Sequence, residues 1–507
     1  MEDMLDYWKY SVFRLGLVAA LATGALTGFE AHAQEQIQID AAAPTTPFPH
    51  FWEQMFGSGR AILSLRESYR DDLRAVKQVT DFRYVRFHAI LHDEVGVYNE
   101  DEHGNPVYNF TYVDQIYDGL LKNGVRPVVE ISFMPKKLAF NPDALHPFWY
   151  KQNVSPPKSM ERWDDLMKAF AQHLVDRYGI DEVATWYFEV WNEPNIDFWG
   201  GIPRKDSYFD LYAHTARALK GVNPRIRVGG PATAAAAWIP AFLKYTAENH
   251  VPADFVSSHG YDDEPVQRLL GTDEDIREED RTCAAAAKVR HQIDASALPH
   301  LPLLWTEWNV PGRDNLRDTA YVGSALAEAV RTCDGVTDYL SFWTFSDVFE
   351  EGGPARKPFE GQFGLRATGG INKPSFYDFA LLHELGKQRI ANAAHDAIVT
   401  KLADGSLVIA VWNLADEGKT PQAKQVTLTI QGVPKNTRVS IQQVDEEHSN
   451  TLKAYERLGS PAYPKPAQVA QMNRETALSS AEHRSLSNGS LALELGKNAL
   501  VLIHVGP

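Results

Sequence analysis

The sequence predicts an α/β protein, a (β/α)8 TIM barrel followed by a C-terminal antiparallel β-sandwich. Three observations carry that expectation. From Phe51 to about Leu385, eight short apolar runs alternate with long amphipathic ones. After about residue 390 the helical spacing disappears and short alternating runs take over. The 507 residues exceed one domain of roughly 150 residues by enough for a large barrel and a smaller module. Apolar strands separated by helices mark a parallel sheet buried on both faces by its crossovers, and eight such units close a barrel.

In chain order, residues 1–33 read as a secretory signal. An apolar run from Leu15 to Phe29 follows Lys9 and Arg14 and precedes Ala31-His32-Ala33, although Glu2, Asp3 and Asp6 make its start acidic. The run is shorter than the roughly 20 residues a membrane span needs. No permanent anchor is expected, and the mature protein would be periplasmic or secreted. Residues 34–50 supply a strand to the sandwich, Gln36–Ile39, ahead of the Pro-rich Pro44–Pro49. The barrel, 51–388, opens with a run near Met55–Gly57 and continues with Tyr84–Ile90, Pro127–Phe133, Trp186–Trp191, Ile226–Gly230, Phe255–Ser258, Leu301–Trp308 and Tyr339–Phe345. Between these runs, stretches such as Glu67–Val79, Tyr112–Lys122, Ser159–Tyr178, Ser207–Lys220 and Thr319–Arg331 repeat apolar residues three and four apart, the helical spacing. Residues 389–507 carry Ala397–Leu402, Leu407–Asn413, Gln425–Ile430, Arg438–Gln443, Ser490–Leu495 and Ala499–Val505, read as half-buried sandwich strands. The polar, Pro-containing Asp445–Met472 is a long excursion expected to pack against the barrel.

Two cysteines are too few for the disulfide framework of a small secreted domain. Cys283 falls about midway along the helix before strand seven, and Cys333 closes the helix before strand eight. Neighbouring crossover helices run parallel, so the two sit at different heights, ~15 Å apart at 1.5 Å per residue. That exceeds the ~7 Å between Cα atoms that a bridge tolerates, so free thiols are expected.

Lys plus Arg total 50 against 66 for Asp plus Glu, a net charge of -16 that repels a phosphate backbone and excludes a nucleic-acid partner. The 12 Trp and 20 Tyr suit stacking on sugar rings. In a barrel, reactive groups sit where strands end, on the C-terminal face. Strand four runs into Asn192-Glu193-Pro194, with Pro194 forbidding further pairing. Burial beside an apolar strand end and tryptophans disfavours the Glu193 charge, as a general acid requires. Strand seven ends with Glu307 between Trp305 and Trp308. Two carboxylates at one mouth, one acid and one nucleophile or base, are the minimum equipment for cleaving a glycosidic bond, and Asn192 beside the acid is placed to hold a sugar 2-OH. No metal or cofactor is required.

The Asn-Glu-Pro after strand four and the Glu ending strand seven resemble the clan of retaining glycosidases whose catalytic glutamates lie on those strands. A longer set of stretches resembles glycoside hydrolase family 39, whose best-known bacterial members are β-xylosidases. The set comprises Phe51-Trp52, Gly57-Ser58-Gly59-Arg60, Tyr84 to His88 with Asp93 to Tyr98, Phe133 to Leu138, Val154 to Lys158, Phe188 to Asn195, His259-Gly260-Tyr261, Trp343 to Glu351 and Phe363-Gly364-Leu365. The resemblance covers about residues 50 to 385 and continues through Asp445-Glu446-Glu447-His448. It implies Glu193 as acid/base and Glu307 as nucleophile. It implies further that His88, Asn192, His259, Tyr261, Trp343, Glu350 and Glu351 line the sugar pocket. The expected activity is that of a retaining, exo-acting β-D-xylosidase acting on small xylo-oligosaccharides. An arabinosidase and an exopolysaccharide glycosidase share its chemistry. An α-L-iduronidase-like enzyme is disfavoured, because Asp262, Asp263 and Glu264 beside Glu350 and Glu351 carry the wrong sign for a uronate. A sugar-binding barrel without catalysis would not need both glutamates, and an adhesive envelope protein would not need an aromatic strand-end face.

Overall fold

The computed structural model describes residues 34–392, 394–415 and 422–506, and the segment read as a signal lies outside them. Eight parallel strands close a barrel: Met55–Ser58, Tyr84–Phe87, Arg126–Ile131, Tyr187–Val190, Arg227–Thr233, Phe255–His259, Leu303–Trp308 and Tyr339–Phe342, with the eighth paired to the first. The helix Met160–Tyr178 shows how the sequence sets the outer ring. Ser159 caps it by accepting the Arg162 N–H, and Trp163, Leu166, Met167, Phe170, Ala171 and Leu174, three or four apart, are its buried stripe.

Side chains alternate along a strand, so the barrel interior is layered. At the N-terminal end Met55, Tyr84, Val128, Tyr187, Phe255 and Leu304 form an apolar plug, where aromatic rings meet edge to face at 5.3 to 5.8 Å. Two residues along strands two, three and four, charge replaces it: Arg86, Glu130 and Glu189 are fully enclosed. One step further lies the mouth.

The C-terminal region is two packed sheets. The smaller joins Gln34–Asp40, Lys424–Gln431 and Ser490–Leu495. The larger runs Thr45–Pro47, Gln388–Ile390, Ala397–Lys401, Leu407–Trp412, Leu500–Val505, Arg438–Val444 and Glu482–Ser485. Along its central strand, Leu407, Ile409 and Val411 face the sandwich core, whereas Val408, Ala410 and Trp412 join the barrel's core against helix Tyr321–Cys333. The strand expected to be half-buried is therefore buried at each residue. The excursion contains two helices, Thr451–Arg457 and Pro466–Glu475. They set Ala454, Tyr455 and Met472 against Phe359, Ala367 and Ile371 beyond strand eight.

The expectation of free thiols is overturned. Cys283 and Cys333 form a disulfide, with Cα atoms 5.1 Å apart. The helix carrying Cys283 is Arg281–Asp294, so the cysteine lies in its first turn rather than midway. The two helices are also offset rather than aligned end to end. The first turn of one meets the last turns of the other, where Cys283 Sγ lies 3.4 Å from the Ala329 carbonyl and Arg277 pairs with Glu328 at 3.2 Å.

Candidate active site

The mouth is organised by one guanidinium. Arg86, on strand two, donates to Glu189 at 2.5 Å, to Glu307 at 2.5 Å, to Asn192 Oδ1 at 2.9 Å and to Glu130 at 2.8 Å. Its fork spans strands three, four and seven, so it fixes the strand exits relative to one another. Four residues after Tyr84, on the same face, His88 donates from Nδ1 to Glu130 at 2.6 Å. Its Nε2 lies 3.5 Å from Glu351 and 4.0 Å from Glu307.

The exit of strand four is bent sharply. Trp191 and Glu193 hold φ of 71° and 44°, left-handed values that persist for such residues only where surroundings enforce them. Here the Glu193 N–H donates to Ala232 O at 2.8 Å, and Trp191 Nε1 donates to Phe198 O at 2.7 Å. On strand seven, strict alternation would turn Glu307 outward, because Leu304 and Thr306 point in. The pairing with strand six skips a residue there, matching Ser258 to Trp305 but His259 to Glu307, and the irregularity turns Glu307 into the mouth as well. Tyr261 O–H donates to Glu307 Oε2 at 2.8 Å.

The two glutamates converge on His259, whose Nδ1 lies 3.1 Å from Glu193 and 3.6 Å from Glu307. A carboxylate oxygen of each glutamate lies within 4.8 Å of one of the other. Inverting glycosidases hold their carboxyl groups about 6.5–9.5 Å apart to admit a water, whereas direct attack on the sugar needs about 5–5.5 Å. This arrangement can carry a double displacement. The sequence profile of glycosyl hydrolases family 39 matches residues 35–489.

The chain belongs to glycosyl hydrolases family 39.

A β-xylosidase of Geobacillus stearothermophilus is 38% identical over 482 residues, covering 90% of this chain and 93% of the relative. The crystal structure of a monomeric β-xylosidase from Caulobacter crescentus superposes with a TM-score of 0.82 at 31% identity, covering 93% of this chain and 99% of that one. Human α-L-iduronidase is 28% identical over 235 residues, 43% of this chain and 33% of its own.

Electrostatics separate the side chains of the family 39 site. Burial pushes Glu193 up to about 7. Burial also raises Glu307, against the pull of its cationic neighbours, Arg86 among them. His259 is pushed down to about 4 by burial, so it is neutral at neutral pH. Burial opposes a charge on His88 too, but Glu130 beside it, with Glu351 and Glu307, raises it to about 10.

Of the residues singled out from sequence, His88, Asn192, Glu193, His259, Tyr261, Glu307 and Glu351 meet around this mouth. The Trp343 ring lies 4.8 Å from that of His88, and Gly57 makes room for it: a Cβ there would fall 1.9 Å from the indole. Glu350 pairs with Arg60 at 3.1 Å and with Arg66. Sequence reasoning did not single out Arg86, Glu130, Glu189, Thr306 or Tyr150. The first three announce themselves only as charges at inward positions of buried strands, a signal that alternation makes legible once the strands are known. The Tyr150 hydroxyl is enclosed without a partner among the described residues, and its backbone neighbour Trp149 donates to Glu351 O at 2.8 Å.

A second trio of converging ligand atoms, His50, Glu53 and His383, lies outside the mouth. Glu53 accepts both imidazoles, at 2.7 and 2.8 Å, and the Asp81 N–H at 3.2 Å. Each imidazole already spends a nitrogen on Glu53, and the buried His50 Nε2 has no partner among the described residues that would steady a metal-bound ring. A cleft of about 630 Å³ between the loop after strand eight and the excursion, lined by Tyr463, Arg356 and Pro464, contains none of the mouth residues. Chemistry rather than volume marks the site.

Proposed function

We propose that this family 39 hydrolase is a retaining, exo-acting β-D-xylosidase that releases xylose from the non-reducing ends of xylo-oligosaccharides. The carrying observation is the approach of Glu193 and Glu307 to within 4.8 Å of each other, both beside Nδ1 of one imidazole. The relatives named β-xylosidase, matched over most of both chains, support the sugar.

In the first step Glu307 attacks C1 while Glu193 gives its proton to the departing oxygen, leaving an α-linked glycosyl ester on Glu307 and a free alcohol. Ester formation removes a negative charge near Glu193, which lowers its pKa and turns it into a base. Glu193 then takes a proton from water as the oxygen bonds to C1, and Glu307 leaves as carboxylate. The product is the β-anomer. Arg86 and Tyr261 hold Glu307 ionised and aimed. Asn192, anchored through Oδ1, keeps its amide N–H groups for the sugar 2-OH, and His88, Glu351 and Trp343 border the rest of the ring.

A panel of nitrophenyl glycosides of xylose, arabinose, glucose and uronate tests the sugar, with the first-formed anomer read by NMR. Fastest turnover of the β-xyloside and a β-anomer first are expected. Preference for another sugar would replace the substrate reading, and an α-anomer first would remove retention.

The reading includes export through residues 1–33. The Cys283–Cys333 bridge supports it, since disulfides persist mainly in oxidising compartments. Among the described residues no helix is long and apolar enough to cross a membrane. Detection of a mature chain beginning after Ala33 outside the cytoplasm would test this, and a full-length cytoplasmic chain would overturn it.

A further inference from the structure

We infer that Thr306 is a positioning residue that fixes the tautomer of His259 and thereby holds Glu193 as a protonated acid before substrate arrives. The inference rests on the reading of Glu193 as the acid and names what sets its proton.

Thr306 is fully buried. Its Oγ1 lies 2.9 Å from Glu189 Oε1 and 3.1 Å from His259 Nε2. A hydroxyl has one proton to give. Glu189 is pinned by Arg86 at 2.5 Å and, as a carboxylate, only accepts. A hydrogen bond to that charge is stronger than one to a neutral imidazole, so the Thr306 proton goes to Glu189. Thr306 can then only accept from His259, which places the imidazole proton on Nε2. Burial keeps the ring neutral, so Nδ1 is a bare lone pair. Its 3.1 Å partner, Glu193 Oε1, must bring the proton itself.

The chain of donors therefore runs from Glu193 O–H to His259 Nδ1, from Nε2–H to Thr306 Oγ1, and from Thr306 O–H to Glu189. An ionised Glu193 would face a lone pair at this distance. The relay favours the acid before the first step and sharpens the carboxylate as a base after it. The other charged groups that bear on Glu193 act in both directions. His88, Arg86 and Arg268 favour its ionisation. Glu130, Glu307, Glu264 and Glu351 oppose it, and the relay adds to this second set.

The test is the pH dependence of kcat/KM for Thr306→Val and Thr306→Ser, with thermal unfolding measured alongside. Valine keeps the volume but frees His259 to carry its proton on Nδ1 and donate to an ionised Glu193. The basic limb should move down by about one pH unit, the size of one charge-assisted hydrogen bond, and serine should restore it. A valine limb coincident with the wild-type one, or above it, overturns the inference. The profile uses whichever aryl glycoside the wild type hydrolyses, so a wrong sugar leaves the test intact. Nitrogen NMR of histidine-labelled wild type reads the tautomer without turnover or a variant's folding, with His259 assigned by His259→Gln. A neutral ring protonated on Nε2 is expected. A proton on Nδ1, or on both nitrogens, overturns the inference.

Discussion

Glu193 and Glu307 are the same residue at two strand exits within 4.8 Å of each other, yet they stand in different company. Glu307 receives Arg86 at 2.5 Å and the Tyr261 hydroxyl at 2.8 Å. The side chain of Glu193 meets only the neutral His259 among the described residues. Burial raises both, but only one touches a guanidinium. The comparison teaches that partners, not residue type, divide a nucleophile, which must be ionised, from an acid, which must not.

The largest effect expected is from Glu307→Ala, which removes the atom that bonds to C1. Turnover should fall by roughly 10⁵-fold for each substrate regardless of leaving group, and azide filling the vacated space should yield an α-glycosyl azide. Equal residual activity in both alanine variants would erase the division of roles.

Glu193→Ala should cost about 10²- to 10⁴-fold on xylobiose, whose leaving alkoxide needs a proton. An acidic nitrophenol needs little help, so its release should survive as a burst while the intermediate accumulates. Azide should then restore turnover and give the β-azide. An α-azide from this variant would mean the two roles are reversed.

Tyr261→Phe removes one of the two hydrogen bonds that distinguish Glu307. A bond to a charged group contributes about 1.5–3 kcal/mol, so kcat/KM should drop by about ten- to a hundredfold. The same substitution should leave the basic limb in place, because Glu193 does not touch that hydroxyl. A moved limb would show that the two environments are not separable.

The pH profile sharpens the contrast without mutation. Glu193 must be protonated, so kcat/KM should fall as pH rises through about 7, tenfold per unit. The limb should fade for leaving groups that need no proton, and persistence with a dinitrophenolate would assign it to another group.

Reducing the bridge outside the mouth is the control with the smallest effect on activity. Cys283→Ser with Cys333→Ser opens a cross-link between residues 50 apart in sequence and should lower stability by about 2–4 kcal/mol in chemical denaturation. Rates at the mouth should not change.

Much of this was legible in the chain. Apolar runs at helical and strand spacing reported the barrel, because burial on both faces of a parallel strand leaves few places for polar residues. Asn192-Glu193-Pro194 and Glu307 were visible as strand ends, since a carboxylate inside Trp-rich apolar sequence has few structural uses. Arg86 was harder to see. An arginine between Val85 and Phe87 reads locally as a stray charge, and its value lies in four partners on three other strands.

Features that depend on neighbours in the chain were set locally: the periodicity of the barrel strands and helices, the proline that ends strand four, and the two glutamates at strand exits. Tertiary structure decided what depends on distance across the fold. The slipped pairing of strands six and seven turned Glu307 inward beside Thr306, against the alternation that Leu304 and Thr306 keep. The offset of two helices brought Cys283 to Cys333. Packing against the barrel covered the second face of Leu407–Trp412. The raised pKa of Glu193 belongs to the same class, because the free energy of a buried proton is set by burial and by the charges the fold brings within a few ångströms, and none of those charges is adjacent in sequence.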